Sequence, residues 1–208
     1  MTGPMRKRGP RPAITTQSNV GYADADTKKG RPAKPVLKTT PRASGQEMVL
    51  AFGLDHIIIW RDRPTDIGAT RYLDNTSTAR GKPSIVVEAR YAGTVDEDDV
   101  ALLVNGTLST MRALKMLLGD PRPIENPVWF EKTVDVISEG PGIWYPLVKR
   151  GTYVQEGMKL GYVTDYFGKR ITEVRAPVAG VILHINAVPS LKKGDNFADI
   201  GVVASNAP

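Results

Sequence analysis

One carboxylate in this sequence stands where a buried strand is expected to end. The stretch KPSIVVEAR contains the small or apolar run Ser84–Val87, which is followed directly by Glu88. A continuous run of this kind is typical of a strand in a parallel sheet covered on both faces. At the carboxyl end of such a strand a carboxylate can meet a substrate and a water molecule. Glu88 is therefore a candidate general base or acid. An ion pair of this carboxylate with Arg80, Lys82 or Arg90 is the alternative interpretation.

Two histidines and one lysine are the other residues whose chemistry could matter. His56 opens a predicted core strand and His184 lies in a predicted strand, so both are expected to be structural. The chain has no Cys and only these two histidines, so we predict no metal site built from its own residues. Lys169, in DYFGKRI, is placed at a predicted hairpin tip. A solvated turn lysine is favoured there over a modified carrier lysine.

The elements that must position Glu88 are predicted from short patterns. EMVLAFG (47–53) predicts the last turns of a helix closed by Gly53, and HIIIW (56–60) predicts a second buried strand. A short helix is expected around residues 70–79. DEDDVALLVNGTLSTMRALKMLLG (96–119) predicts an amphipathic helix with an acidic first turn. Its predicted core face consists of Val100, Leu103, Val104, Leu108, Met111, Leu114 and Leu118.

The pattern changes after a proline-rich linker at residues 119–127. Short alternating segments separated by Gly follow, which is typical of an all-β domain. Two segments, GTYVQEGMKLGYVTD (151–165) and APVAGVILHINAVPSLKKGDNFADIG (176–201), resemble the two halves of the barrel-sandwich hybrid of biotinyl and lipoyl domains. The resemblance implies a barrel-sandwich-like fold for this part of the chain.

The net charge of +6 is concentrated in the N-terminal part. Residues 1–46 hold ten Lys/Arg and two Asp, a net +8, with six prolines, whereas residues 47–208 carry a net −2. We predict a disordered basic tail over residues 1–46, a partial α/β domain over residues 47–127 and a β-rich domain over residues 128–208. A solvated tail is favoured over a basic arm on nucleic acid, because only Tyr22 could stack on a base.

Two classes of partner are not expected from the rest of the sequence. No apolar run is long enough for a transmembrane helix, and no apolar stretch of the signal-peptide type follows the basic N-terminus. We therefore predict a cytoplasmic protein that binds neither membrane nor nucleic acid.

The order of these patterns resembles a known enzyme family. AFGLDHIIIW, then GKPSIVVEARYAGTVDEDDVALLVNGTLSTMRALKMLLG, then a β domain is similar to the C-terminal part of the succinylglutamate desuccinylase/aspartoacylase family, over residues 47–207. The resemblance implies the back half of a zinc carboxypeptidase-like α/β domain with a mixed or parallel sheet. It also implies a zinc-dependent amidohydrolase that cleaves N-acyl amino acids or related small amides. In this family the glutamate that ends the strand, here Glu88, is the general base or acid acting on zinc-bound water.

Part of the family pattern is missing from this chain. It has no His-x-x-Glu pair and no Arg-Gly-x-x-x-Asn-Arg substrate clamp, and EARYAG departs from the family after Glu88. The resemblance therefore predicts a truncated, inactive form, with residues 1–46 either unrelated coding sequence or a natural arm. A truncated sheet would leave an uncovered edge at residues 56–60 or 84–87, which predicts an oligomer or aggregation. A non-catalytic binding module that uses the β domain is the alternative function.

Overall fold

The chain divides into two compact units. The computed structural model describes residues 15–19, 45–59, 66–88 and 95–206. The α/β unit comprises Thr15–Lys132 together with the residues from Val203 onward, and the described part of the β unit is Thr133–Val202. None of the helices in the described ranges is long and apolar enough to span a bilayer. The domain limits predicted from the sequence stay predictions.

The α/β unit is built on a mixed sheet. Its strands are β1 (Thr15–Asn19), β2 (His56–Ile59), β3 (Ser84–Glu88) and the first part of β4 (Val128–Ile137). The strand order is β3-β1-β2-β4, in which β1 and β4 run parallel to β2 while β3 runs antiparallel to β1. Together with three helices this sheet makes an α/β fold, as predicted.

Strand β1 corrects one expectation. It lies inside residues 1–46, which the composition predicts to be disordered, so that prediction is wrong for Thr15–Asn19. The physical reason is tertiary, because β1 lies between two strands and makes backbone pairs on both of its edges. Composition counts apolar side chains and cannot detect a strand that is held by its backbone. The other residues of the predicted tail, up to residue 44, lie outside the described part.

The two predicted buried strands have different outcomes. All four residues of β2 are buried and both of its neighbours are parallel, as HIIIW predicts. The prediction for β3 is wrong, because β3 is antiparallel, only half-buried, and last in the strand order of this unit. A four-residue apolar run does not record strand direction, since an antiparallel edge strand can carry the same residues.

Three α-helices and a short 3₁₀ helix lie within the described residues of this unit. They are α1 (Gly45–Phe52), the 3₁₀ turn Ile67–Ala69, α2 (Leu73–Ala79) and α3 (Glu97–Ala113). Gly53 follows α1 with a φ of +88°, a conformation that glycine adopts without strain, so the predicted cap is confirmed. The side chain of Asp96 caps α3 by accepting from the N–H of Asp98. The three predicted helices begin within three residues of the observed ones, but α3 ends at Ala113, six residues before its predicted end at residue 119.

Helix α3 packs through a face that its sequence does not predict. Val100 and Val104, two members of the predicted core face, are 49% and 52% exposed. The buried residues of α3 are Asp99, Gly106, Ser109 and Thr110. A Cβ atom added at Gly106 would lie only 2.4 Å from Cε1 of Phe52, the last residue of α1. Small residues let α3 approach α1 closely, and a pattern that counts only large apolar side chains misses such a face.

The β unit encloses a separate core. Its further strands are β5 (Gly142–Pro146), β6 (Tyr153–Val154), β7 (Lys159–Thr164), β8 (Arg170–Arg175), β9 (Gly180–Ile185), β10 (Ser190–Leu191) and β11 (Asn196–Val203). One sheet has the order β10-β5-β7-β8, and the strands β11-β9-β6 are consecutive in another. Trp144, Leu160 and Ile182 are at most 2% exposed in the core that these strands share. Many short strands were predicted here, but the described strands form no closed barrel, so the barrel-sandwich form is not confirmed.

The contact between Gly106 and Phe52 gives a test of the α1–α3 packing. In Gly106→Ala the added methyl group clashes with the Phe52 ring, and the higher helix propensity of Ala recovers only part of the loss. We expect the free energy of unfolding to fall by about 1–2 kcal/mol in urea titrations followed by far-UV circular dichroism.

The matched control is Gly140→Ala, where an added Cβ meets no atom within 4 Å. This control should change the free energy of unfolding by less than about 0.5 kcal/mol. The double variant Phe52→Leu with Gly106→Ala should lose less stability than the sum of its two single changes. Additive losses would show that the two residues do not press against each other.

Candidate functional site

Glu88 lies at a different end of the sheet from the one predicted. It is the last residue of β3, its side chain is exposed, and its backbone pairs with Thr15 of β1. Thr15 in turn pairs with His56 of β2. Because β3 is antiparallel, its carboxyl end meets the amino ends of β1 and β2 instead of their carboxyl ends. The crevice expected at the carboxyl ends of parallel strands is therefore not where Glu88 is found.

The sheet register brings two of the predicted residues together. Glu88 and His56 occupy one row across the sheet with β1 between them. Two strand spacings place their backbones roughly 10 Å apart. His56 is 8% exposed, and its Nδ1 lies 2.8 Å from Oδ1 of Asp55. Its ring stacks on Phe130 with centroids 5.6 Å apart, which agrees with the predicted structural role.

The segment of chain that leads into β3, the strand that ends at Glu88, is hydrogen-bonded to helix α2. Gly81 adopts a φ of +67° directly after the helix, a turn that glycine permits, and the N–H of Lys82 donates to the carbonyl of Ser77. The Ser84 hydroxyl donates to the carbonyl of Asp74 at 3.1 Å. These bonds tie the first residue of β3 to α2 and the strand pairing fixes the last one. The side chain of Glu88 thus projects from a strand whose backbone is held at both of its ends.

Of the three residues predicted as possible ion-pair partners of Glu88, two are described and neither is paired with it. Among the described residues no ion pair joins Glu88 to Arg80 or Lys82, both of which are exposed. Arg90, the third predicted partner, lies outside the described residues. The carboxylate is accessible to water, which a general base in a hydrolytic reaction requires.

A polar cluster in the β unit was not found from the sequence. Nδ1 of His184 on β9 lies 3.6 Å from Oδ2 of Asp199 on β11, and the amide of Asn196 donates to the other oxygen of Asp199. Burial raises the pKa of Asp199, and Asp135 on β4 adds to the rise, whereas Asn196 and His184 oppose it. The only sequence signal is an aspartate between apolar neighbours in FADIG, which strand patterns alone do not interpret.

Lys169 lies exposed in the turn between β7 and β8, and its N–H donates to Oδ1 of Asp165. This position agrees with the predicted hairpin tip. That this lysine is unmodified stays a prediction.

The described residues do not fit the zinc ion that the family resemblance implies. Across the described ranges no group of three or more His, Cys, Asp or Glu side chains could hold a metal ion. The only two histidines of the chain are each placed beside one aspartate, His56 by Asp55 and His184 by Asp199. A catalytic zinc needs three protein ligands and an open position, so the donor set found here is insufficient.

Solved structures share this fold. The apo structure of the ectoine utilization protein EutE (DoeB) from Ruegeria pomeroyi matches with a TM-score of 0.72 and 17% identity, covering 92% of this chain and 55% of that chain. A succinylglutamate desuccinylase from a Silicibacter species matches with a TM-score of 0.68 and 19% identity, covering 93% and 54%. A succinylglutamate desuccinylase/aspartoacylase from Rhodobacter sphaeroides gives 0.69 and 14%, covering 94% and 55%. No protein-family model and no curated protein matches the sequence.

These comparisons confirm the predicted family resemblance at the level of the fold. This chain spans about half the length of the structures that it matches, with 55% of the Ruegeria protein covered. Since 92% of this chain is matched and residues 1–46 are more than a fifth of its 208 residues, the match reaches into that segment. The interpretation of residues 1–46 as unrelated to the fold therefore has no support at β1.

The raised pKa of Asp199 gives a pH-dependent prediction. The folded state holds the proton of Asp199 more tightly than the unfolded state does. The stability from this group is thus complete below the unfolded pKa near 4 and is lost as the pH rises through the raised pKa. Asp199→Asn mimics the protonated acid. We expect its melting temperature to match that of the wild type at about pH 3 and to exceed it at about pH 7.

The measurement is thermal unfolding of both proteins across this pH range. Asp120→Asn, on the exposed linker, is the matched control and should show no such divergence. Equal melting temperatures for Asp199→Asn and the wild type at neutral pH would contradict the prediction.

Proposed function

We propose that this chain provides the general base or acid, Glu88, of a deacylase that cleaves N-acyl amino acids or similar small amides. The observation that carries the proposal is the exposed carboxylate of Glu88, at the end of a strand held in register within a desuccinylase-like fold. One structure of this fold, that of the Ruegeria ectoine utilization protein, is of a product-bound form. The proposal extends the family resemblance of the sequence from the fold to the chemistry.

Glu88 would act by moving one proton. As a water molecule attacks the amide carbonyl carbon, the carboxylate accepts the proton that the water loses. It then gives this proton to the nitrogen of the leaving amine, so that the carbon–nitrogen bond breaks and the carboxylate is regenerated. An exposed carboxylate on a backbone fixed at both ends suits this role, since proton transfer requires a position defined to a fraction of an ångström.

We propose further that this chain alone does not turn over substrate. The family chemistry implied by the resemblance uses zinc, and the described residues offer no ligand group for it. Ligands for a metal would have to come from polypeptide that these residues do not include. The part of a related chain that this one does not cover would supply these ligands, because the match covers only 55% of the Ruegeria protein.

Complementation tests the role of Glu88. Release of free amine from N-acetyl and N-succinyl amino acids is measured with zinc present, for this chain alone and for this chain co-expressed with the uncovered part of the Ruegeria protein. We expect no turnover from the chain alone. In the combined preparation Glu88→Gln should lower kcat/KM by about 10²–10⁴-fold, the usual loss on removing a general base.

Glu125→Gln, which changes an exposed glutamate of the linker, is the control and should leave kcat/KM unchanged. Equal rates for Glu88→Gln and the wild type would refute the role of Glu88. Robust turnover by the chain alone would refute its proposed inactivity, and an inactive combination would favour the second candidate function.

The second candidate is a non-catalytic binding module built on the β unit. We infer a barrel-sandwich-like form for this unit. Support comes from the two similar sequence halves and from the single core shared by strands of two sheets. Exposed aromatic side chains at one end of a hairpin, Tyr166 and Phe167, favour an interaction role for this unit.

A further inference from the structure

The turn between β7 and β8 exposes two aromatic side chains to solvent. We call residues 165–169 the tip. Oδ1 of Asp165 accepts from the N–H groups of Phe167 and Lys169, each at 2.9 Å, and the N–H of Asp165 donates to the carbonyl of Lys169. Phe167 is 97% exposed and Tyr166 is 70% exposed. The tip is thus a hydrogen-bonded loop that presents large apolar surface without a local packing role.

Helix α3 also exposes apolar side chains on its surface. We call Glu97, Val100 and Val104 the α3 face. Val100 and Val104 are four residues apart, so they lie next to each other on the helix surface, and Glu97 precedes Val100 by one turn. Both valines are about half exposed, and the Glu97 side chain is exposed. The face is therefore an apolar stripe with negative charge at one end.

We propose that the tip of one copy of this chain docks on the α3 face of a second copy. Phe167 and Tyr166 would cover the two valines, and Lys169 would meet the carboxylate of Glu97. Lys169 follows Phe167 by two residues in the turn, and Glu97 precedes Val100 by three residues on one side of the helix, so each patch has its charge near its apolar part. Charge complementarity of this kind selects the partner and fixes the orientation.

The charge at the tip is reinforced by the next residue. Arg170 remains 54% exposed while its guanidinium lies over the ring of Tyr162 at 4.2 Å and close to Glu173. These contacts hold the arginine beside the tip instead of letting it move freely. The backbone of the tip and the Arg170 side chain are thus held in place, so less conformational entropy is lost on binding than for a free loop.

The contact joins two different patches, which determines the kind of assembly. A tip-to-helix contact is heterologous, so each copy can accept one neighbour and insert into another, giving chains that lengthen with concentration. Two aromatic side chains bury only a few hundred Å² of surface, below the size of a standard interface, so the dissociation constant is expected to be on the order of 100 μM. This association does not depend on the proposed hydrolytic activity.

Two variants and their mixture test the proposal by sedimentation velocity of the full chain. Phe167→Ser removes the main contact of the tip and leaves the α3 face intact, whereas Val100→Ser with Val104→Ser does the reverse. We expect the wild type to show increasing mass with concentration, extending beyond the dimer. Each variant alone should associate at least about tenfold more weakly. Their equimolar mixture should form a dimer and nothing larger, because it retains one intact pairing.

The controls test whether each variant is folded and whether any exposed apolar side chain would promote association. Leu73→Ser removes an apolar side chain that is 84% exposed on α2, and its association should equal that of the wild type. Circular dichroism of each variant checks that it is folded. Charge reversal of Lys169→Glu should weaken association, and Lys169→Glu mixed with Glu97→Lys should recover it.

Three outcomes would overturn the proposal. A wild type that stays monomeric to about 1 mM would remove the association itself. A mixture of the two folded variants that stays monomeric while the wild type associates would show that the tip and the α3 face do not contact each other. Loss of association in only one of the variants would indicate a symmetric contact of that patch, or a different partner.

Discussion

The backbone pairing of β1 on both of its edges is the constraint on which the α/β unit depends. Its five residues join β2, a buried strand with parallel neighbours, to β3, the strand that ends at Glu88. Without β1, strand β3 would have no backbone partner in the sheet order of this unit, and the row that contains Glu88 and His56 would not exist. The position of the candidate base is therefore set by a segment that itself contains no candidate catalytic residue. A backbone-held strand also tolerates wide changes in side chain, which makes it hard to recognise from composition.

The close approach of α3 to α1 has an equally specific consequence. Gly106, Ser109 and Thr110 form the buried side of α3, where Thr110 also donates its hydroxyl to the carbonyl of Gly106. Choosing this side turns Val100 and Val104 outward. Because α3 packs through its small residues, part of its apolar stripe is left exposed to solvent. The exposed valines and the small-residue contact are two results of one rotation of the helix about its axis.

Sequence patterns predicted the positions of the helices and strands better than the contacts that these elements make with one another. HIIIW was sufficient for β2 because four consecutive buried residues have few alternatives, and Gly53 and Asp96 mark helix ends through local chemistry. Strand direction at β3, the partner of β1 and the buried side of α3 depend on contacts between segments distant in sequence, which no local pattern encodes. The Asp199 cluster was missed for the same reason, since its members come from three different strands.

Glu88 also has a purely structural use that must be separated from a catalytic one. Charged side chains on an edge strand oppose the addition of another strand, and β3 is the last of the described strands at its end of the sheet. Glu88→Gln removes the charge, so it impairs both roles and cannot distinguish them by itself. Glu88→Asp keeps the charge at the edge but withdraws the carboxylate by about 1 Å, a displacement that can cost a catalytic group about 10²-fold in rate. If Glu88→Asp stays as soluble as the wild type but loses turnover when combined with the uncovered part of the Ruegeria protein, the carboxylate acts in the chemistry, whereas full turnover in that combination would leave it as protection of the edge.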